Sequence, residues 1–341
     1  MDGTADPLAS ELDPERILAP LSHAKRLLLA VSGGPDSVAL MLLAARWSGR
    51  RTIPVEVASI DHGLRSDSRT EAETVARWAG SLGFAHHLLS WEHENPKTRL
   101  QERARQARYR LLAECALGIG ADHIVTAHHG DDQAETVLLR LTRGSGPAGL
   151  AGMAPLIPCR AITIARPLLD VPKADLVGLC AAAGHPFFHD ASNENPAFAR
   201  TRLRALRGLL EAEGLDRSAL LRLARRAARA EAALSEMTAA TRSNLPMKRT
   251  ADDVEIAGGA LAKLPDEIFL RIIEAEVLVL SRGRDHLRLD RLERAAAEAA
   301  SALNENRAFA TTLADARIAV TREGYLRISR ASARRSVPRS T

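Results

Sequence analysis

Cysteine is scarce in this chain, and its three copies lie far apart. Cys115, Cys159 and Cys180 form no Cys-x-x-Cys pair, which excludes a zinc or iron–sulfur site built from neighbouring residues and gives no sign of a disulfide framework. Aromatic residues make up only 3% of the 341 positions, which argues against a sheet that stacks bases on aromatic rings. No apolar run approaches the length of a membrane span, and the N-terminus does not resemble a signal peptide. These absences predict a cytoplasmic protein.

Hydrophobic and basic residues, by contrast, are plentiful. Hydrophobic residues account for 46% of the chain and charged residues for 26%, a balance typical of a globular protein with one large core and a smaller second one. The net charge is only +5, but nine arginines lie between Arg200 and Ala230 against three acidic residues. This clustering favours a polyanionic partner, although solvated helix faces explain it equally well.

The most informative stretch is the run Ser-Gly-Gly-Pro-Asp-Ser at 32–37, which follows the apolar residues Leu27–Val31. An apolar run, two glycines, a proline and a helical pattern predict a strand, a tight turn and a helix. The glycines let backbone N–H groups and the helix N-terminus approach an anion, and proline fits the first helical position. Asp36 suits this place if a divalent cation bridges its carboxylate to phosphate. An ordinary turn with Asp36 as a cap is the simpler alternative.

This loop lacks the lysine of a Walker A motif. It has no Gly-Lys-Ser/Thr ending, and no lysine occurs between Lys25 and Lys97 that would reach a terminal phosphate. The six residues instead resemble the loop of ATP pyrophosphatases, which holds the β and γ phosphates while the α phosphorus reacts. The resemblance implies adenylation without specifying what is adenylated.

Strands and helices alternate over the first part of the chain, which predicts βαβ units and a mainly parallel α/β sheet flanked by helices. The predicted strands cover 26–31, 55–60, 86–91, 123–127 and 162–166. Polar motifs follow the first, second and fourth of them, at 32–37, 61–65 and 128–135. Because ligands bind beyond the carboxyl ends of parallel strands, these motifs are expected to share one cleft.

The pattern changes beyond about Leu210. Arginine- and alanine-rich helix dominates there, and two short strands are expected within 308–328. We therefore predict a catalytic α/β domain over residues 1–212, a smaller and mostly helical domain over 213–330 whose arginine-rich start favours a polyanionic partner, and a basic, disordered tail over 331–341.

A second cluster of polar residues runs from His128 to Glu135. On a helix that begins near Asp131, Glu135 shares a face with Asp131 and Asp132, so three carboxylates crowd together beside two histidines. The helix dipole offsets part of their repulsion, and a bound cation, either Mg²⁺ or a substrate ammonium, accounts for the rest. A zinc site is the alternative, but the spacing is not that of His-Glu-x-x-His.

Together with the loop at 32–37, five stretches occur in a fixed order. They are SIDHGLR (59–65), ARQARYRLL (104–112), TAHHGDDQAETVLLRLTRGSGPAGLAGM (126–153), RPLL (166–169) and DASNENPAFARTRLR (190–204). In this order they resemble the tRNA(Ile)-lysidine synthetases, a family of PP-loop ATP pyrophosphatases. The resemblance covers residues 27–210, and the family has asparagine where this chain has Thr201.

The resemblance implies a ligase that acts on the wobble cytidine of an isoleucine tRNA with a CAU anticodon. The cytosine O2 attacks the α phosphorus of ATP and releases pyrophosphate, and the ε-amine of free L-lysine then displaces AMP to give lysidine. ATP and Mg²⁺ are the implied cofactors, tRNA and lysine are the partners, and a homodimer is left open.

The resemblance, with the charge clustering, also gives candidate roles to individual residues. The expected ATP site comprises Ser32, Gly33, Gly34, Pro35, Asp36, Ser37, Ile60, Asp61, His62 and Arg108. Asp36 is expected to hold Mg²⁺, and the expected catalytic residues are Asp36, His128, Asp131 and Glu135. Asp131, Asp132 and Glu135 are expected to bind lysine, and the arginines expected to contact tRNA are Arg200, Arg202, Arg204, Arg207, Arg222, Arg225 and Arg226.

Other functions are compatible with parts of this pattern. A tRNA thiolase of the same superfamily needs a cysteine pair, and a glutamine-dependent amidotransferase needs a nucleophilic cysteine on its own domain; neither feature is found in the sequence. A non-catalytic tRNA-binding protein predicts a degenerate loop, whereas all six positions of the loop at 32–37 are intact.

Overall fold

The computed structural model describes residues 12–49, 52–63, 67–92, 100–188, 199–281 and 287–331. The chain divides into two units, Met1–Ala228 and Arg229–Thr341. The predicted tail from residue 332 onward, Arg65, residues 190–198 of the last motif and the side chain of Arg200 lie outside the described residues. The domain boundary at residue 212 stays a prediction.

In the described part of the first unit, strands and helices alternate as the sequence predicts. The strands are β1 (Leu27–Ala30), β2 (Val55–Asp61), β3 (Ala85–Ser90), β4 (His123–Val125), β5 (Leu156–Cys159) and β6 (Ile162–Ala165). The helices are α1 (Pro14–Leu18), α2 (Pro35–Ser48), α3 (Ser68–Ser81), α4 (Leu100–Ile119), α5 (Gly130–Leu141), α6 (Pro147–Leu150), α7 (Lys173–Ala182), α8 (Ala199–Ala205), α9 (Arg207–Ala212) and the start of α10 (Arg217–Asn244).

The strands form one sheet in the order β3-β2-β1-β4-β6-β5. Every pair of neighbours is parallel except the edge pair β5 and β6. At the centre, Leu29 of β1 is in register with Val57 of β2 on one side and with Val125 of β4 on the other. The predicted mainly parallel sheet is confirmed.

The edge strand β5 is an addition to the strands that the sequence predicted. It contains Pro158, and proline within an apolar run argues against a strand because it cannot donate to the ladder. An edge strand tolerates proline, since one side of it has no neighbour. Leu156 and Cys159 of β5 are exposed, which fits that position.

The alternation of side chains along β1 places residues in two cores. Leu27 and Leu29 pack with residues of α1, α2, α3 and α7, whereas Leu28 packs on the other face with Leu112 and Ala116 of α4. Because both faces are buried, β1 is continuously apolar rather than alternating. The loop at 32–37 therefore emerges from the most buried strand of the sheet.

The chain order of the strands reverses between β1 and β4. From β1 the chain proceeds to β2 and β3 on one side, and β4 and β6 then fill the other side. The loops that leave β1 and β4 consequently diverge and open a crevice at the carboxyl end of the sheet, where ligands of open α/β folds bind. These two loops carry the polar residues at 32–37 and at 128–135.

The second unit contains a five-stranded antiparallel sheet, whose strands lie in the order β7 (Met247–Arg249), β8 (Asp253–Ala257), β11 (Tyr325–Arg330), β10 (Ala316–Val320) and β9 (Phe309–Leu313). The sequence predicted only two short strands, within 308–328, where the structure has three, and it missed β7 and β8, which are short and rich in charged residues. In β8, only Val254 and Ile256 face the core. The remaining elements in its described residues are the helices α11 (Gly258–Leu261), α12 (Asp266–Leu280) and α13 (Leu289–Asn304).

No helix in the described part of the chain combines the length and the apolar content that crossing a bilayer requires.

Candidate active site

Ser37 organises the loop at 32–37 from the first turn of α2. Its hydroxyl oxygen accepts hydrogen bonds from the backbone N–H groups of Ser32 and Gly33, both at 3.1 Å, and donates one to the Gly34 carbonyl at 3.0 Å. Ser37 is buried, so water does not compete for these bonds. The first N–H groups of α2 have no partners within the helix, as at any helix start, and they favour an anion at this place.

Gly33 is required by both its conformation and its surroundings. Its φ is +85°, and a Cβ atom there would lie 2.6 Å from Cδ2 of Phe188 and 3.1 Å from Cγ2 of Val75. The Phe188 N–H also donates a hydrogen bond of 2.9 Å to the Gly33 carbonyl, which fixes the close approach. Gly34 has an ordinary φ of −74°, so its missing side chain only keeps the start of α2 open.

We expect Gly33→Ala to destabilise the protein by about 1–3 kcal/mol, since it combines backbone strain with overpacking against Phe188. Denaturant unfolding measures this change. Gly80→Ala is the matched control, because Gly80 lies in α3 and a Cβ there meets nothing within 4 Å. That control is expected to be stabilising by about 0.5–1 kcal/mol. Equal unfolding free energies for wild type and Gly33→Ala would contradict the argument.

Asp36 follows the loop and offers two distinct oxygens. Oδ2 lies 3.5 Å from Nε2 of His129 and 3.8 Å from Nζ of Lys173. Oδ1 is buried and has no hydrogen-bond partner among the described residues. A buried carboxylate oxygen left without a donor is costly, and a cation compensates that cost.

His129 joins the second motif to the loop. Its Nδ1 accepts a hydrogen bond from the Asp132 N–H at 3.3 Å, while Asp132 Oδ2 accepts one from the His129 N–H at 3.2 Å. This reciprocal cap starts α5 where the sequence placed it. Burial lowers the pKa of His129, but its hydrogen bond with Asp36 and the charges of Asp132, Asp36 and Asp131 outweigh burial and raise that pKa overall.

His128 is partly buried beside cationic groups and is neutral at physiological pH. Burial, the largest cause, and the positive charges of Arg166, Arg105 and Arg108 together lower its pKa to about 4, against the opposing charge of Asp132. Its Nδ1 lies 2.9 Å from the hydroxyl of Thr126, which itself donates to the Ala165 carbonyl at 3.4 Å. With the hydroxyl donating to that carbonyl, we assign the imidazole proton to Nδ1, and Nε2 then keeps a lone pair that is able to accept one.

We expect Arg166→Gln to raise the pKa of His128 from about 4 toward its ordinary value of 6.5. The pKa should rise because Arg166 is a buried positive charge that disfavours protonation of the imidazole, and glutamine removes that charge. Arg166→Lys keeps the charge and should keep the low pKa. A ¹³C NMR titration, with the His128 signal assigned from a His128→Gln sample, measures both variants; an unchanged titration in Arg166→Gln would contradict this assignment.

The three carboxylates of α5 differ in their partners. Both Glu135 oxygens accept hydrogen bonds from Arg204, one of them at 3.0 Å. Asp131 accepts from Arg207 at 3.1 Å and from the Lys173 N–H at 3.0 Å. Burial raises the pKa of Asp131, but the Lys173 N–H and neighbouring positive charges hold that pKa below its ordinary value. Asp132 has no arginine partner in the described part of the chain.

Arg204 and Arg207, two of the arginines expected to bind tRNA, therefore contact the carboxylates of α5. Arg202 is exposed, and Arg222, Arg225 and Arg226 form an exposed stripe on α10 opposite its buried residues Leu220, Leu221 and Ala224.

Three residues of the expected ATP site, at positions 60–62, lie at the end of β2. Asp61 accepts hydrogen bonds from the Ser68 hydroxyl and from the Gly63 N–H, and the Ser68 bond is the main cause of its lowered pKa. Ile60 and His62 flank it and are partly buried. Arg108 on α4 belongs to the cationic group around His128. The structure thus places the predicted nucleotide residues at the ends of β1 and β2, and Arg108 of α4 near His128, which follows β4.

The described residues contain no group of three or more His, Cys, Asp or Glu side chains arranged to hold a metal ion. A metal bound here would need ligands beyond the protein side chains of this part of the chain. Mg²⁺ commonly binds through one or two carboxylates together with substrate phosphates, and the buried Oδ1 of Asp36 fits that mode.

Comparison with known proteins agrees with this geometry. A PP-loop domain model, ATP_bind_3, matches residues 9–208. A tRNA(Ile)-lysidine synthase of Methylobacterium sp. (strain 4-46) is 49% identical over 296 residues, which cover 84% of this chain and 86% of that protein. The chain belongs to the tRNA(Ile)-lysidine synthase family. Membership in this PP-loop family implies that the chain uses ATP, as the loop at 32–37 predicted.

Further relatives extend the family match along the chain. The tRNA(Ile)-lysidine synthase of Bradyrhizobium diazoefficiens is 43% identical over 346 residues, covering 96% of this chain and 95% of its own. Among solved structures, the U34-tRNA thiolase NcsA of Methanococcus maripaludis has a TM-score of 0.53 at 15% identity, covering 64% of this chain and 79% of its own. That likeness shows the fold alone.

Two residues of the site, Lys173 and Arg166, were not among the candidates taken from the sequence of this tRNA(Ile)-lysidine synthase family member. Lys173 was missed because it lies far along the chain from the loop at 32–37. Arg166 is buried, its Nε has no partner among the described residues, and its guanidinium donates to the Ala154 carbonyl at 2.9 Å. Arg166 could have been predicted as a site residue from its position directly after β6, because ligands bind at the carboxyl ends of parallel strands.

Proposed function

We propose that this chain ligates free L-lysine to carbon 2 of the wobble cytidine in an isoleucine tRNA with a CAU anticodon. The observation that carries the proposal is the meeting of two motifs in one crevice. A preformed anion-binding loop lies at the start of α2, and Asp36 of that loop contacts His129 of the second motif at 3.5 Å. An adenylating site and an amine-binding site are thereby adjacent.

In the first step, the cytosine O2 attacks the α phosphorus of ATP while the bond to the β phosphate breaks. The backbone N–H groups at the N-terminus of α2 hold the departing diphosphate, and Ser37 keeps the loop before them folded by accepting the N–H groups of Ser32 and Gly33. Asp36 is the residue that would hold Mg²⁺, which when bound supplies positive charge to the phosphates. The end of β2 lies beside the adenosine.

In the second step, the lysine ε-amine attacks carbon 2, and the carbon–oxygen bond to AMP breaks. Asp132, the carboxylate without an arginine partner in the described residues, is best placed to bind an ammonium. Glu135 and Asp131 contribute negative charge beside it, although Arg204 and Arg207 pair with them when no lysine is bound. The amine must lose a proton before or as it attacks.

His128 is the base that we assign to this proton. Its Nε2 is free to accept, but a pKa of about 4 makes it a weak base in the free protein. Phosphate oxygens beside Arg105, Arg108 and Arg166 offset the positive charge that lowers this pKa. Nucleotide binding therefore makes His128 more basic at the stage when the proton has to leave.

The tRNA is proposed to lie along the basic residues of α8, α9 and α10. The exposed stripe of Arg222, Arg225 and Arg226 binds phosphate without reading sequence. A tRNA substrate places the protein in the cytoplasm.

A product assay tests the proposed function. The purified chain is incubated with Mg²⁺, lysine, α-labelled ATP and isoleucine tRNA, and we expect one AMP and one pyrophosphate for each lysine incorporated. Mass spectrometry of the digested tRNA locates the lysine. Methionine tRNA, which shares the CAU anticodon, is the control and should remain unmodified. Release of ADP and phosphate, or AMP formation without tRNA, would overturn the proposal.

A further inference from the structure

Lys173 brings a positive charge to a loop that has no lysine of its own. Its Nζ lies 3.8 Å from Oδ2 of Asp36, and half of its side chain is exposed. A distance of 3.8 Å is too long for a hydrogen bond, so Asp36 does not use the donors of this ammonium. An ion pair this exposed contributes little to stability, and a purely structural role therefore explains little of its placement.

The position of Lys173 is fixed by the packing of α7 against α2. Leu176 and Cys180 of α7 are buried in the same core as α2, and the Cys180 thiol donates to the Pro35 carbonyl at 3.4 Å. The Lys173 N–H donates to Asp131 at 3.0 Å, which holds the first residue of α7 beside the start of α5. Only the flexible stem of the lysine is left to move.

The loop at 32–37 does not by itself supply enough positive charge to balance the proposed leaving group, a diphosphate. A helix N-terminus supplies roughly half an elementary charge, and the loop at 32–37 adds N–H and hydroxyl donors but carries the negative charge of Asp36. A diphosphate carries several negative charges. One ammonium within reach of the same loop makes up part of this deficit, and its three donors suit phosphate oxygens.

We infer that Lys173 binds the diphosphate that leaves ATP, and that it supplies from α7 the cation that other phosphate-binding loops carry within their own sequence. The inference rests on the proposed function. As the α-phosphorus bond to the bridging oxygen breaks, the electron pair stays on that oxygen, and the ammonium contacts the resulting diphosphate without transferring a proton.

Calorimetric titration with inorganic pyrophosphate and, separately, with AMP tests this role at constant Mg²⁺. Lys173→Met and Lys173→Gln should weaken pyrophosphate binding about tenfold or more, the loss expected for a charge-assisted contact, and should leave AMP binding unchanged. Lys173→Arg keeps the charge and should bind pyrophosphate nearly as wild type does. Lys25→Met is the matched control, since Lys25 precedes β1 at the opposite end of the sheet.

Two results would overturn the inference. Wild-type affinity for pyrophosphate in both charge-removing variants means that Lys173 does not contact the diphosphate. An equal loss of AMP and pyrophosphate binding means that the lysine only maintains the shape of the site. Products of the wild-type protein are measured in parallel, so release of ADP would refute the proposed function separately, whatever pyrophosphate binding shows.

Discussion

Asp36→Asn should abolish lysine incorporation into tRNA, with a loss of about 10²–10³-fold or more. A loss of this size in the reaction rate is typical when one preorganised contact to a charge that develops in the transition state is removed. Asparagine keeps the shape of the side chain but removes the negative charge that a cation needs at the buried Oδ1. The effect on folding should be small, because an acidic residue in the first turn of a helix contributes only about 0.3–1 kcal/mol.

The rate of AMP formation in the presence of lysine and isoleucine tRNA measures this effect. Asp290→Asn provides a matched control, since Asp290 is the acidic residue in the first turn of α13 in the second unit. Unfolding curves for both variants separate a lost site from a lost fold. Near-normal activity of Asp36→Asn would remove the loop at 32–37 from the mechanism.

Reversing the charges of Arg222, Arg225 and Arg226 to glutamate should weaken tRNA binding by about 100-fold or more at moderate salt. Each phosphate contact contributes close to one unit to the slope of log affinity against log salt, so the slope should become shallower by about two to three. The ion pair of Arg225 with Asp170, at 3.2 Å, is exposed and contributes little. Folding should therefore persist.

Filter binding or fluorescence anisotropy over a salt series measures both quantities. The control is the same triple reversal at Arg46, Arg77 and Arg110, which are exposed arginines on α2, α3 and α4. This control changes the net charge equally but lies outside the stripe on α10. If the two triple variants bind tRNA alike, only net charge matters and the stripe is a solvated helix face.

These two variants separate the two kinds of contact in the proposed reaction. Asp36 acts at one oxygen against developing charge, so its loss should change the rate of AMP formation and leave tRNA affinity unchanged. The arginine stripe acts on the whole tRNA, so its loss should change affinity and leave the rate at saturating tRNA nearly unchanged. A protein that merely bound tRNA would show the second effect without the first.

Much of the fold was readable from local pattern. The apolar run before Ser32, the glycine pair and Pro35 specify a strand, a turn and a helix within a few residues, and the structure has them. The start of α5 near Asp131 was also predicted, although its cap by His129 was not. The edge strand β5, the pair β7 and β8, and one of the three strands β9 to β11 were not predicted. Short strands owe their stability to neighbouring strands, and a proline or charged residues hide β5, β7 and β8 from the local pattern.

The sequence alone determined the loop at 32–37, the alternation of strands and helices that builds a parallel sheet, and the meeting of polar motifs at one end of that sheet. These features depend on the spacing of hydrophobic residues and on the residues of turns, and both act over short stretches of chain. Tertiary structure alone decided which groups face each other there: Lys173 beside Asp36, Arg204 on Glu135 and Arg166 near His128. Such pairs join residues far apart in the chain. Their distances depend on how helices pack on the sheet, and no local pattern of residues encodes that packing.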